Sequence, residues 1–273
     1  MIDLLIFSKD RAPQLDLLLR SIDLNFKDIN FKNISILYTF SNSFYEQGYL
    51  KLKRRFPNIN WILEFDFKKD TIDIINGFKN EFSLILVDDE VVVNDFSIKS
   101  ALKILREDDH LHCISLRMHP NIDYTYTANV PNKFSEFQYV DNLCIWNWRD
   151  CNSISDSGYP SCINSHIYRT EDLKYWLSFL KFYNANSLEG QLNNQRSIFN
   201  EYIACFYTPK TVCIANNLVQ SGTNRHSNDE KNTVEFLNGK YLHNNIIDLE
   251  PFIEIEKNTP TFEHKYKWIK YEN

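Results

Sequence analysis

The sequence predicts an α/β protein built on a mostly parallel, doubly wound sheet, with a less regular second half. Three features carry that expectation. Short apolar runs alternate with amphipathic stretches through the first 120 residues, and such alternation implies parallel strands joined by right-handed crossovers. The fourth run, Leu84-Ile85-Leu86-Val87, is apolar throughout, as a central strand covered on both faces requires. Beyond residue 120 the alternation gives way to polar and aromatic sequence.

Leu4 to Phe7 reads as the first strand, and Leu15, Leu18, Leu19 and Ile22 mark one side of the helix after it. A second strand is expected at 34–38 and a second helix at 44–56, stopped by Pro57. Strands at 61–65 and 83–87 flank a helix at 71–79; a helix at 98–105 and a strand at 111–116 follow. The second half predicts a loop at 152–160, helices at 171–182 (with Thr170 as N-cap) and 191–204, and a strand at 212–215. Residues 1–120 are expected to form the regular α/β half and 121–273 the less regular half of one domain.

Length and composition bound the function. A chain of 273 residues with 43% hydrophobic and 24% charged residues can bury a substantial core. The net charge of −6 argues against nucleic-acid binding, which needs clustered cations. No apolar run reaches membrane-spanning length and no leader is visible. Six cysteines without a CxxC pair predict reduced thiols packed as small hydrophobes, and a cytoplasmic protein.

The most informative string is Asp88-Asp89-Glu90, at the end of the apolar fourth strand. Three adjoining carboxylates there repel one another and resist desolvation unless a cation offsets them. Side chains two apart on a strand share a face, so Asp88 and Glu90 are expected to reach one ion. Hard Mg2+ or Mn2+ suits such a site, completing its shell with water and phosphate oxygens. A solvated loop after an edge strand is the plainer reading. No glycine lies between residues 8 and 13 and no GxGxxG occurs, which excludes a dinucleotide fingerprint and the glycine-rich loop of sugar-nucleotide pyrophosphorylases.

At this point the chain resembles the GT-A glycosyltransferases, in particular the family 2-like bacterial enzymes, in which a hydrophobic strand after three βα units ends in an acidic metal motif. The resemblance implies a nucleotide-sugar donor, a glycan or lipid-linked acceptor, and a role in bacterial surface polysaccharide. It implies donor contacts from Ser8, Lys9 and Arg11 after the first strand, Asn42 and Asp66 after the second and third, and Asp88. Asp88, Asp89 and Glu90 would hold the metal, with His226 as a further ligand and Arg225 on the diphosphate. The family's usual Asp after the second strand is missing here.

Inverting members place a catalytic carboxylate well beyond the metal motif. Glu189, 101 positions after Asp88, is the expected general base, and Asp156 is the reserve. A first-turn residue answering the helix dipole is the alternative for Glu189. His166 is read either as a sugar contact or as structural. Lys51, Lys53, Arg54, Arg55 and the tail at 265–271 mix cations with apolar residues, which fits either peripheral contact with the inner face of a membrane or a solvated surface. A rival of another class is a non-catalytic carbohydrate- or nucleotide-binding protein on a degenerate version of the same fold.

Overall fold

The computed structural model describes residues 1–220 and 225–271. The first half runs β1 (Ile2–Lys9), α1 (Ala12–Asn25), β2 (Ile34–Thr39), α2 (Ser43–Arg55), β3 (Asn60–Leu63), α3 (Phe67–Gly77) and β4 (Phe82–Val87). It continues through β5 (Glu90–Val92), α4 (Lys99–Glu107), β6 (Leu111–Ser115) and a small hairpin of β7 (Tyr124–Thr125) with β8 (Val130–Pro131). The second half contributes β9 (Gln138–Val140), β10 (Leu143–Asn147), β11 (His166–Arg169), α5 (Thr170–Phe179), α6 (Ala185–Asn194), β12 (Tyr202–Phe206) and β13 (Thr211–Ile214). α7 (Val234–Leu242), β14 (Asn245–Ile247), β15 (Thr261–Phe262) and β16 (Trp268–Lys270) follow.

One nine-stranded sheet has the order β3-β2-β1-β4-β11-β6-β12-β10-β9. Within it only β10 and β11 oppose the common direction, so the sheet is mostly parallel, as expected. The late strand β11 wedges between β4 and β6, antiparallel to both. Period-two geometry explains the apolar central strands. On β1, Ile2, Leu4 and Ile6 join a core with residues of α1, α2, α4 and α7, whereas Leu5 and Phe7 join a second core with residues of α3, α5 and α6. A smaller sheet, β15-β13-β5, packs over a third cluster that includes Leu17, Phe252 and Tyr266.

Asp16 is fully buried on α1 and ties three elements together. It pairs with Arg20 at 2.8 Å and with Arg55 of α2, and it accepts from the Tyr241 hydroxyl of α7 at 3.2 Å. Arg55 also stacks on the Tyr271 ring, Lys51 donates to the Tyr241 carbonyl at 2.5 Å, and Lys53 donates to the Tyr38 hydroxyl. Three of the four cations at 51–55 thus have partners within the fold while remaining partly exposed. Among the described residues no helix is long and apolar enough to cross a membrane, and all six cysteines are free.

The second half departs from expectation at its caps. The helix expected at 191–204 instead begins at Ala185, where Asn184 and Ser187 form a reciprocal capping box. It ends at Asn194, and the remainder becomes a short turn and β12. Thr170 is the first helical residue rather than the cap; its hydroxyl meets Ser83 at 2.7 Å and the Asn80 carbonyl at 2.8 Å. The expected loop at 152–160 folds back so tightly that a Cβ on Gly158 would sit 2.1 Å from the Asn152 carbonyl oxygen.

Candidate functional site

The carboxyl ends of β1 to β4 open into a cleft of about 960 Å³, near the top of the range for small-molecule sites. Its floor is organised around Asp88, which is buried. Asp10, at φ 56°, takes the left-handed backbone that Asp tolerates better than most residues. Its carboxylate accepts from Ser41 N at 2.7 Å and Ser41 Oγ at 2.6 Å, anchoring the turn. On either side of that turn, Ser8 Oγ at 2.8 Å and Lys9 N at 3.0 Å donate to one Asp88 oxygen, and Arg11 Nη1 at 3.0 Å donates to the other.

Arg11 is the hub of this floor. Its Nη1 also meets Asp89 at 2.7 Å, its Nε donates to Asn217 Oδ1 at 2.8 Å, and its Nη2 donates to the Asn217 carbonyl at 2.5 Å. Burial alone would lower the guanidinium pKa, but Asp89 and Asp88 outweigh it and hold the charge more firmly. Burial pushes the Asp88 carboxyl up to about 6, with Arg11 pulling it back.

Glu90 does not join Asp88 on a shared face. β4 ends at Val87, Asp88 and Asp89 form a turn, and Glu90 opens β5, so the period-two rule is broken between them. Its side chain is fully buried and lies off the cleft, accepting from Ser165 Oγ at 2.5 Å and Val87 N at 2.9 Å. Among the described residues no group of three or more His, Cys, Asp or Glu side chains is placed to hold a metal. The donor set expected for Mn2+ or Mg2+ therefore does not fit a hard cation in this arrangement: Asp88 and Asp89 share a guanidinium, and Glu90 points elsewhere.

Burial pushes the Glu90 carboxyl up to about 8, against the opposing hydrogen bonds from Ser165 and Val87. The folded protein therefore keeps a proton that the unfolded chain releases near 4.5. That contribution to stability is full below the unfolded value, declines as pH rises, and is gone above about 8. Glu90→Gln mimics the protonated form, and the Ser165 hydroxyl can reverse to accept from its amide. The variant is expected to fold and to flatten the fall in melting temperature between about pH 5 and 8. An unchanged pH profile would place the titration on another group.

Across the cleft stand both expected bases. Glu189 lies within α6 rather than at a helix start, so the first-turn reading does not apply. It lines the cleft, and Cys162 Sγ lies 3.7 Å from Oε1. Burial raises its pKa above the ordinary carboxylate range, with Arg117 as the main opposing charge. Asp156 also lines the cleft but is neutralised by Arg117 at 2.8 Å. Arg117 is buried, and its Nε has no hydrogen-bond partner among the described residues. Sequence reasoning missed it, although it directly follows an expected strand, where ligands of open α/β sheets bind.

Two expected donor contacts fall elsewhere. Asn42 and Asp66 are exposed N-caps, accepting from Phe44 N at 2.9 Å and Lys69 N at 2.9 Å, and neither lines the cleft. Their side chains close helices instead. Glu64, two residues before Asp66, lines the cleft in its stead. Ser8, Lys9, Arg11, Arg225 and His226 all line it; Arg225 donates to the Tyr124 hydroxyl at 2.8 Å and stacks on Tyr126. Residues 221–224 of the same polar cluster lie outside the described residues. His166 is buried off the cleft, its ring bonded to the Asn164 carbonyl at 2.9 Å, and burial lowers its pKa to about 3, so it is a neutral structural residue.

No family model matches the sequence. The chain is 27% identical over 233 residues to the bifunctional glycosyltransferase pgtA of Dictyostelium discoideum, a match covering 78% of this chain and 30% of that protein. The chain thus spans under a third of the length of the curated relative it matches. Among solved structures, residues 1–349 of S. aureus TarS align with 16% identity and a TM-score of 0.47 over 75% of this chain and 58% of that one. The mannosyltransferase PcManGT of Pyrobaculum calidifontis, in complex with GDP-Man and Mn2+, gives 10% identity and a TM-score of 0.40 over 77% and 57%. A cytidylyltransferase of Leptospira borgpetersenii gives 8% and 0.45 over 76% and 75%. By sequence, the chain is similar to a glycosyltransferase.

Proposed function

We propose that this chain transfers a sugar from a nucleoside-diphosphate sugar to a hydroxyl of a glycan or lipid-linked acceptor. One observation carries the reading: the Asp88–Arg11 floor and the Glu189 carboxyl line the same cleft. Sequence similarity to a glycosyltransferase supports it. A bacterial surface polysaccharide as the product, and a membrane-associated acceptor, rest on the resemblance alone.

The reaction follows from the arrangement of charges. Glu189 takes the proton of the acceptor hydroxyl as its oxygen bonds to the anomeric carbon. The bond from that carbon to the phosphate oxygen breaks, and the nucleoside diphosphate leaves with the electron pair. Lys9, Arg117 and Arg225 supply positive charge for the departing phosphates. A single displacement of this kind inverts the anomeric centre. No step is routed through a metal, because Arg11 already bridges the carboxylates that would hold it.

The test incubates the protein with a panel of nucleotide sugars and a panel of acceptors, with Mn2+ or with EDTA, and follows nucleotide release. Turnover of at least one donor that persists in EDTA is the expected result. A strict Mn2+ requirement would mean that the carboxylates release Arg11 to take a cation. Nucleotide binding without turnover on any pair would favour the non-catalytic reading.

A further inference from the structure

Resting on the nucleotide-sugar reading, we propose that Glu64 reads the donor base and selects a lactam base, uracil or guanine, over cytosine and adenine. Three placements carry this. The sheet order sets β3 three strands from β4, so the end of β3 lies about 14 Å along the cleft from the Asp88 turn. That span suits a nucleotide laid across the strand ends, its diphosphate over β1 and β4 and its base over β2 and β3. Among the described residues, Glu64 is the ionisable side chain that the β2–α2 and β3–α3 segments contribute to the cleft wall. Of the other polar side chains there, Asn42 and Asp66 cap helices, Ser41 Oγ donates to Asp10, and the Thr39 hydroxyl carries no charge.

Phe40 lines the same end and offers a ring face on which a base can stack. An ionised carboxylate only accepts hydrogen bonds. Uracil N3 and guanine N1 each carry a hydrogen that can be donated to it. Cytosine and adenine present an unprotonated ring nitrogen at that position, whose lone pair the carboxylate repels. Burial lifts the Glu64 pKa, with Lys9 as the strongest opposing charge. A carboxylate in that setting gains from a donor that favours its charged form.

The experiment titrates UDP, GDP, CDP and ADP into the full chain by calorimetry, with wild type and Glu64→Gln compared. Wild type is expected to bind UDP or GDP at least about tenfold tighter than CDP and ADP, the advantage of one charge-assisted hydrogen bond. Which of UDP and GDP binds tighter distinguishes the two lactam bases. E64Q offers a donor as well as an acceptor and should collapse that preference to within about threefold, at an unchanged melting temperature, since the side chain is only partly buried. Equal binding of all four nucleotides by wild type, or an E64Q preference unchanged from wild type, would overturn the assignment while leaving the transferase reading intact. Failure of any nucleotide to bind would overturn both.

Discussion

Glu189→Gln is expected to leave nucleotide affinity within about threefold of wild type while slowing sugar transfer at least about 100-fold, the usual scale for losing a general base. The amide keeps the shape of the side chain and its neighbours, including the Cys162 thiol, so the fold has little reason to change. What it loses is the ability to take the acceptor proton as the glycosidic bond forms. The pH dependence supplies an independent check. Burial raises the Glu189 pKa, and the base works only when ionised, so transfer should fall as pH drops through a value above the ordinary glutamate range. Single-turnover rates of the variant equal to wild type would remove Glu189 from the mechanism and turn attention to Asp156, which lines the same cleft and pairs with Arg117 at 2.8 Å.

Arg11→Leu should be the most damaging change on the donor side. The guanidinium pairs with Asp88 and Asp89 at side-chain exposures of 14% or less for all three residues. Removing it leaves buried Asp88 and part-buried Asp89 without their shared cation, with Ser8 and Lys9 N as the donors remaining to Asp88, and also frees Asn217 from the floor. Breaking a buried pair in this way costs about 3–5 kcal/mol, and nucleotide binding should be lost with the floor. Arg11 is the main charge holding the Asp88 pKa down against burial. Without it Asp88 binds its proton still more tightly, so the deficit relative to wild type should widen as pH rises and narrow on acidification. Adding Asp89→Asn to Arg11→Leu should recover part of the loss in urea titrations, because one unpaired charge is removed. A deficit that grows on acidification, or no recovery in the double variant, would mean the pairing contributes little.

Much of the first half was legible because its strands are covered on both faces. Leu4, Leu5, Ile6 and Phe7 all read as apolar since alternate residues enter different cores. β11 was harder, because His166, Tyr168 and Arg169 do not look like a central strand, and its partners are distant in sequence. The start of α6 was written in the Asn184–Ser187 capping pair, six residues before the expected start at 191. At the site, the strand-end rule, applied through the resemblance, pointed to Ser8, Lys9, Arg11, Asp88 and Asp89, and all five line the cleft. The same rule failed where a side chain had a local use: Asp66 and Asn42 satisfy helix N-termini, a role short polar residues take readily. Glu90 was misplaced because alternation was carried across a turn that its neighbours form. The Arg11–Asn217 contact joins residues 206 apart, a separation at which one sequence offers no signal.

The wedging of β11 between β4 and β6 has a consequence for how the cleft operates. A wall built from residues after β6 and a floor built from residues after β4 are stitched to one continuous ladder of backbone hydrogen bonds. Hinge-like closure of one lobe on the other would have to tear that ladder. Any closure is left to the surface segments above the strand ends, and the spacing between the Asp88 turn and the wall that follows β6 is held by the scaffold itself.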